Sequence, residues 1–103
     1  MKCYGFIEYK NSVQWNLSNK FLLDSEFFID CERLGLPIDV SDDVVEFNTG
    51  TAHLHSYLTY NQLKELIKSK EFVEIKYHMI LSFMRCFEEV NCPARLIFWS
   101  VIT

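Results

Sequence analysis

The sequence predicts an α+β fold, in which a small antiparallel sheet packs against a central long helix and shorter helices. The expected sheet combines an N-terminal hairpin with a C-terminal strand, because both chain ends carry short aromatic and β-branched runs. Residues 59–90 instead place apolar side chains at helical spacing. A chain of 103 residues is long enough for one domain and too short for two, so we expect a single domain over residues 1–103.

The N-terminal region predicts a β-hairpin. Residues 2–9 lack helix formers and are typical of a strand, and Asn11-Ser12 is a turn signal. Residues 13–15 can return as the second strand. The segment 17–23 mixes loop chemistry with apolar residues, so its interpretation stays open.

A short helix is expected from Ser25 to Leu34, where apolar residues recur at helical spacing. Gly35 is expected to take the left-handed conformation that ends many helices. Pro37 then prevents the helix from continuing. Ser41 is followed by two carboxylates, which predicts the start of a further helical turn.

The clearest helix is expected to run from Thr59 to about Lys70. Thr59 and Gln62 have the spacing of a capping box. Leu58 and Leu63 stand where a hydrophobic staple would join the entering chain to the helix.

The last two elements are predicted from long apolar patterns. Residues 72–90 predict a helix that is apolar around most of its circumference, which is typical of a central helix. Its polar stripe is expected to face water and consists of Glu74, His78, Ser82, Arg85 and Glu89. Residues 94–102 are apolar on both faces of a strand, which predicts a position in the middle of the sheet.

Composition restricts the partners and the compartment. The net charge is −4 and the Lys and Arg residues are dispersed, which argues against binding long nucleic acid. No apolar run approaches the ~20 residues of a membrane span, so no membrane partner is expected.

The four cysteines form no Cys-x-x-Cys pair and no signal peptide is evident, so we expect reduced thiols and a cytoplasmic protein. An aromatic content of 16% predicts a thick aromatic core or an apolar interface.

The densest polar chemistry lies in residues 35–41 and 51–59. His53 and His55 alternate, so in an extended segment both imidazoles point to one side, which suits a metal ion or an anion. The two histidines have two alternative roles. Both imidazoles could hydrogen-bond to the loop backbone, or they could contact a ligand without a metal. We predict no metal and no cofactor.

Other side chains could complete such a site. Ser56 lies near a helix start, where free N–H groups favour phosphate. Arg33 and Arg95 could each bind phosphate or form a structural ion pair. Tyr57 and Trp99 could stack on a base or pack in the core. The predicted ligand-binding set is Arg33, His53, His55, Ser56, Tyr57 and Trp99, with no catalytic residue assigned.

Three segments occur in a fixed order: Gly35-Leu36-Pro37-Ile38-Asp39-Val40-Ser41, His53-Leu54-His55-Ser56-Tyr57-Leu58-Thr59 and Arg95-Leu96-Ile97-Phe98-Trp99. In this combination the chain resembles, over most of its length, a family of small and mostly uncharacterised phage and prophage proteins. The family tends to have a longer segment before Gly-Leu-Pro, and an acidic and amide pair where this chain ends in Ser100-Val101-Ile102-Thr103. The resemblance implies a viral origin and implies no particular reaction.

We hypothesise a small viral binding protein that counters bacterial defence in the host cytosol. Its most concrete form sequesters a small nucleotide-derived signal in a pocket at the interface of a homo-oligomer, because so short a chain can hardly enclose one alone. One alternative is a protein–protein inhibitor of a host defence enzyme, which requires an exposed apolar patch. Another is an enzyme that uses His53 and His55 on a phosphodiester, with or without a metal.

Overall fold

The computed structural model describes residues 2–11, 14–18, 20–37 and 56–101. The helical turn expected at Ser41 lies outside these residues. The elements are β1 (Lys2–Asn11), β2 (Gln14–Leu17), β3 (Phe21–Leu23), α1 (Ser25–Leu34), β4 (Leu36–Pro37), β5 (Ser56–Thr59), α2 (Tyr60–Lys68), α3 (Ile75–Glu89) and β6 (Ala94–Val101).

The strands form one antiparallel sheet in the order β2-β1-β6-β5-β4, and β3 pairs with the N-terminal end of β1. The predicted pairing of the N-terminal hairpin with the C-terminal strand is confirmed, since Tyr4 lies opposite Trp99 and Tyr9 opposite Ala94. Strand β6 lies between β1 and β5, as its two apolar faces predicted. The chain therefore has the predicted α+β fold, with the open segment 17–23 supplying the short strand β3.

The three helices pack on one face of the sheet and form the main core with it. Side chains from β1, β5 and β6 that point to this face include Ile7, Leu58, Leu96 and Phe98. The helices contribute Phe27, Phe28, Cys31, Leu63, Leu66, Ile67, Tyr77 and Met84. Each large apolar side chain buried in this way contributes about 1.5–3 kcal/mol, so this layer is a major source of stability.

Helix α2 begins as predicted. The Thr59 hydroxyl accepts a hydrogen bond from the Gln62 backbone N–H at 3.2 Å, and the Gln62 side chain accepts one from the Thr59 N–H at 2.9 Å. Leu58 and Leu63 are both buried, as expected for a hydrophobic staple. The helix ends at Lys68, two residues before the expected end.

The left-handed conformation predicted for Gly35 is wrong. Gly35 has φ −69° and ψ 144°, an extended conformation open to any residue. Its lack of a side chain matters for packing instead. A Cβ at this position would lie 2.5 Å from Cζ of the buried Phe98 ring.

Helix α3 differs from its prediction in its start and its position. It begins at Ile75, not Phe72, and its buried residues are Tyr77 and Met84. The helix forms part of the outer layer and is not central, because the described chain builds a single layer of helices on this face of the sheet. The predicted polar stripe is exposed, with Arg85 Nε 3.8 Å from Glu89 Oε1. No helix of the described residues is long and apolar enough to cross a membrane.

Candidate functional site

The face of the sheet that points away from the three helices carries the candidate site, and we call it the aromatic face. Because side chains alternate along a strand, β1 and β6 present matched residues there. Three cross-strand pairs follow from the register: Tyr4 with Trp99, Phe6 with Ile97 and Glu8 with Arg95. Strand β5 adds Tyr57, which lies opposite Ile97.

Glu8 and Arg95 form a buried ion pair at one end of the aromatic face. Arg95 Nε donates a hydrogen bond to Glu8 Oε1 at 2.5 Å, and Nη2 lies at the same distance from this oxygen. The Glu8 side chain is 0% exposed and the Arg95 side chain is 9% exposed. The Arg95 guanidinium lies 4.9 Å from the centre of the Tyr57 ring, within cation–π range. The pair therefore holds the guanidinium against the Tyr57 ring.

Aromatic rings fill the other end of this face. Trp99 is 4% exposed and is stacked with Tyr4 at 5.6 Å between ring centres. Phe6 meets Trp99 edge to face at 5.3 Å. Tyr4 and Tyr57 are half-buried, so part of each residue stays accessible while Trp99 packs against the Tyr4 ring.

Four cations lie on the aromatic face, and two of them contact its rings. Lys20 Nζ lies 4.5 Å from the centre of the Tyr4 ring. Strand alternation also places Lys2 and Lys10 on the aromatic face, where Lys2 is exposed and Lys10 half-buried. Among the described charged residues, this face holds these three lysines and Arg95 against the single acid Glu8, although the chain as a whole has a net charge of −4. The described residues of this face therefore carry an excess of positive charge, on a chain that is acidic as a whole.

The structure brings together two of the six predicted ligand-binding residues. Tyr57 and Trp99 share the aromatic face. Trp99 is buried, which fits the core packing that was one of its two expected roles. Ser56 lies opposite Phe98 and so points to the helical side. Arg33 lies in the last turn of α1, 76% exposed and 3.9 Å from Asp30, on the opposite side of the sheet. His53 and His55 lie outside the described residues.

Sequence reasoning missed Tyr4, Glu8 and Lys20 as members of this face. The run Lys2-Cys3-Tyr4-Gly5-Phe6-Ile7-Glu8 does contain a signal, because every second residue is polar or aromatic. Arg95 was expected either to bind a ligand or to form an ion pair, and it forms the ion pair. Its partner follows only from the register of β1 against β6.

Two clefts lie in the helical layer, away from the aromatic face. One, of about 350 Å³, is lined by residues that include Asp24, Glu74 and Tyr77. The other, of about 330 Å³, contains Arg33 together with Lys70, whose ammonium group pairs with Asp30. The charged residues that line the first cleft are predominantly acidic. In the second cleft, Arg33 and Lys70 each lie close to the carboxylate of Asp30. Neither cleft therefore suits an anion as well as the aromatic face does.

The first cleft gives a prediction about pH. The Tyr77 hydroxyl donates to Asp24 Oδ2 at 2.7 Å, and this bond lowers the pKa of Asp24. A lowered folded-state pKa stabilises the protein above the unfolded pKa, and this stability is lost as the pH falls through the folded pKa. We therefore expect Tyr77→Phe to lower the free energy of unfolding by about 1 kcal/mol at pH 7 and by less near pH 3. Urea unfolding at both pH values measures this, and Tyr60→Phe, at a half-buried tyrosine, serves as the control.

A loss from Tyr77→Phe that stays constant between the two pH values would contradict the assigned role of the Tyr77–Asp24 bond.

The described residues contain no group of three or more His, Cys, Asp or Glu side chains arranged to hold a metal ion. Comparisons with family models, with curated proteins and with solved structures find no match to this chain.

Proposed function

We propose that the protein binds a small nucleotide-derived anion on the aromatic face and sequesters it. The observation that carries this proposal is that Lys20 lies over the Tyr4 ring and Arg95 over the Tyr57 ring, on a face of an acidic chain that also holds Lys2 and Lys10. Lysine ammonium groups attract phosphate, and tyrosine rings stack on bases. A nucleotide presents both chemistries in one small molecule.

The chemistry of this face suits binding better than turnover. Its carboxylate, Glu8, is fully buried and bonded to Arg95, so it is held as an ion-pair partner and not presented to a ligand as a base. Cys31 is a buried free thiol on the other side of the sheet, and burial raises its pKa to about 12, which keeps it protonated. Neither of these two groups is therefore placed to cleave a nucleotide bound on the aromatic face.

The resemblance to phage and prophage proteins supplies the setting for the proposal. A viral protein that removes a nucleotide signal from the bacterial cytosol would blunt a host defence that depends on this signal. Sequestration needs tight binding and abundance and no catalytic group, which is compatible with a chain of 103 residues.

Calorimetric titration of site variants tests where the nucleotide binds. The titrant is the tightest binder from a panel of cyclic mononucleotides, cyclic dinucleotides and linear nucleoside phosphates. We expect Lys20→Ala and Tyr57→Leu each to weaken binding about tenfold or more, through loss of a cation and of a stacking ring. Lys64→Ala, on the exposed surface of α2, is the matched control and should leave the affinity unchanged.

The same titration of Arg33→Ala distinguishes the two sides of the sheet. An affinity that falls in Arg33→Ala and stays unchanged in Lys20→Ala would place the nucleotide in the helical cleft and refute the aromatic face as the site.

A specific observation also favours the alternative of a protein–protein inhibitor. Helix α3 exposes a row of large apolar side chains, which is the kind of patch that this hypothesis requires. An inhibitor would bind its target through α3 with no nucleotide present. The two hypotheses are distinguished by whether substitutions on α3 or on the aromatic face abolish the anti-defence activity.

The enzymatic alternative stays a prediction because His53 and His55 lie outside the described residues. It requires that His53→Ala or His55→Ala abolish cleavage of a phosphodiester while leaving the protein folded. Cleavage retained in both variants would refute it.

A further inference from the structure

Helix α3 presents an apolar stripe to solvent. The stripe consists of Ile75, Met79, Phe83, Cys86 and Val90, and Phe72 extends it before the helix begins. Successive members are three or four residues apart, so they follow one side of the helix, roughly opposite the buried Tyr77 and Met84. Phe72, Ile75, Met79, Phe83 and Val90 are between 44% and 82% exposed. We call this surface the α3 stripe.

The exposed apolar area of the α3 stripe approaches that of one side of a standard interface. With roughly 200 Å² for a large apolar side chain, these exposed fractions leave on the order of 600 Å² of apolar surface. A standard interface buries ~800 Å² on each partner. Half-buried Ile80 and Phe87 adjoin the stripe on one side and can supply further area.

We propose that a second copy of this chain covers the α3 stripe, in a two-fold dimer whose α3 helices run antiparallel. An isologous contact requires a surface that is complementary to itself. The stripe has this property when the two-fold axis passes between Ser82 and Phe83. Ile75 then lies opposite the partner's Val90, and Met79 lies opposite the partner's Cys86.

The charges beside the stripe fit the same arrangement. In an antiparallel two-fold pair, each flank of one helix meets the same flank of the other. The polar flank consists of His78, Ser82, Arg85 and Glu89. With the axis between Ser82 and Phe83, His78 is level with the partner's Phe87 and lies two residues, or ~3 Å along the helices, from the level of the partner's Glu89. Arg85 is two residues from the level of the partner's Ser82 and five residues, or ~7.5 Å along the helices, from the level of the partner's Arg85, so no charge directly opposes its like.

This dimer goes beyond the proposed nucleotide binding and does not depend on it. The α3 stripe lies on the outside of the helical layer, whereas the aromatic face is on the other side of the sheet. Two copies joined through α3 would turn their aromatic faces away from each other. Each copy would therefore keep a complete nucleotide-binding face, in place of the shared interface pocket expected from the chain length.

The mass in solution tests the dimer. By sedimentation equilibrium at about 100 µM, we expect twice the single-chain mass of 12.2 kDa. Met79→Glu puts a charge at an exposed position in the stripe and should reduce the mass to that of one chain. The variant should still show a cooperative thermal unfolding transition, which shows that it is folded. The matched control is Ile29→Glu, at an exposed apolar residue of α1, which should leave the mass doubled.

Cross-linking tests the antiparallel arrangement. In the proposed dimer, Met79→Cys places a thiol opposite the partner's Cys86, and mild oxidation with diamide, which takes up the two electrons and two protons, should link the copies. The double variant Met79→Cys with Cys86→Ser should not link. In the unaltered protein, Cys86 should not link to the partner's Cys86 either. In the proposed dimer these two thiols are about seven residues, or ~10 Å, apart along the helices.

Four results would overturn the proposal. They are a single-chain mass for the unaltered protein at about 100 µM, a doubled mass for Met79→Glu, a cross-link that persists without Cys86, and no cross-link in Met79→Cys. A single-chain protein whose stripe binds a different protein would instead support the inhibitor hypothesis.

Discussion

Arg95→Met is expected to lower the free energy of unfolding by about 3–5 kcal/mol, because it leaves a buried carboxylate without its cation. Glu8 is fully buried, and its Oε1 lies 2.5 Å from both Nε and Nη2 of Arg95. The carboxylate has lost its hydration on folding, so the missing guanidinium cannot be replaced by bulk water. Urea unfolding at pH 7 measures the loss.

Two further variants separate the buried charge from the loss of packing. The double variant Glu8→Leu with Arg95→Met removes both charges and should recover most of the stability. Arg85→Met breaks the exposed contact with Glu89 and should change the free energy of unfolding by less than about 0.5 kcal/mol. If Arg95→Met costs no more than Arg85→Met, the Glu8–Arg95 pair does not have the energetic role assigned to it.

Gly35→Ala is expected to lower the free energy of unfolding by about 1–3 kcal/mol, the usual cost of forcing an extra carbon into a packed core. The new Cβ would lie 2.5 Å from Cζ of Phe98 and 3.0 Å from the carbonyl oxygen of Cys31. Phe98 cannot turn aside easily, because its ring is 1% exposed and meets Phe28 edge to face at 5.7 Å. The backbone at Gly35 is extended and costs alanine nothing.

A double-mutant cycle with Phe98→Leu tests this cause. Leucine lacks the outer ring atoms, so the cost of Gly35→Ala should fall in the Phe98→Leu background. A cost that is the same in both backgrounds would show that contact with the Phe98 ring is not the reason.

The start of α2 and the middle strand β6 could be predicted because their signals are local or depend on the pattern of a single segment. The Thr59–Gln62 capping box needs residues three apart in the chain, and it forms as expected. The position of α3 could not be predicted in this way. Apolar residues around a helix do not distinguish a central helix from an outer helix with an apolar surface, and exposed Ile75 and Met79 show that α3 is the second kind.

The candidate site was harder to predict because it depends on contacts between distant strands. Glu8 and Arg95 are 87 positions apart, and only the register of β1 against β6 pairs them. Strand alternation likewise decides that Tyr57 joins the aromatic face while its neighbour Ser56 points to the helical side. Arg33 was grouped with these residues from its place near Gly35, and nearness in sequence does not fix a shared side of a sheet.

The most direct test of nucleotide sequestration is a thermal-shift screen of the unaltered protein against the nucleotide panel, followed by chromatography of the ligand released on heating. We expect at least one nucleotide to raise the unfolding temperature, because a ligand that binds only the folded state stabilises it. This nucleotide should be recovered intact and in stoichiometric amount. Recovery of a cleaved product would contradict sequestration in favour of an enzyme, and no shift with any member of the panel would contradict nucleotide binding itself.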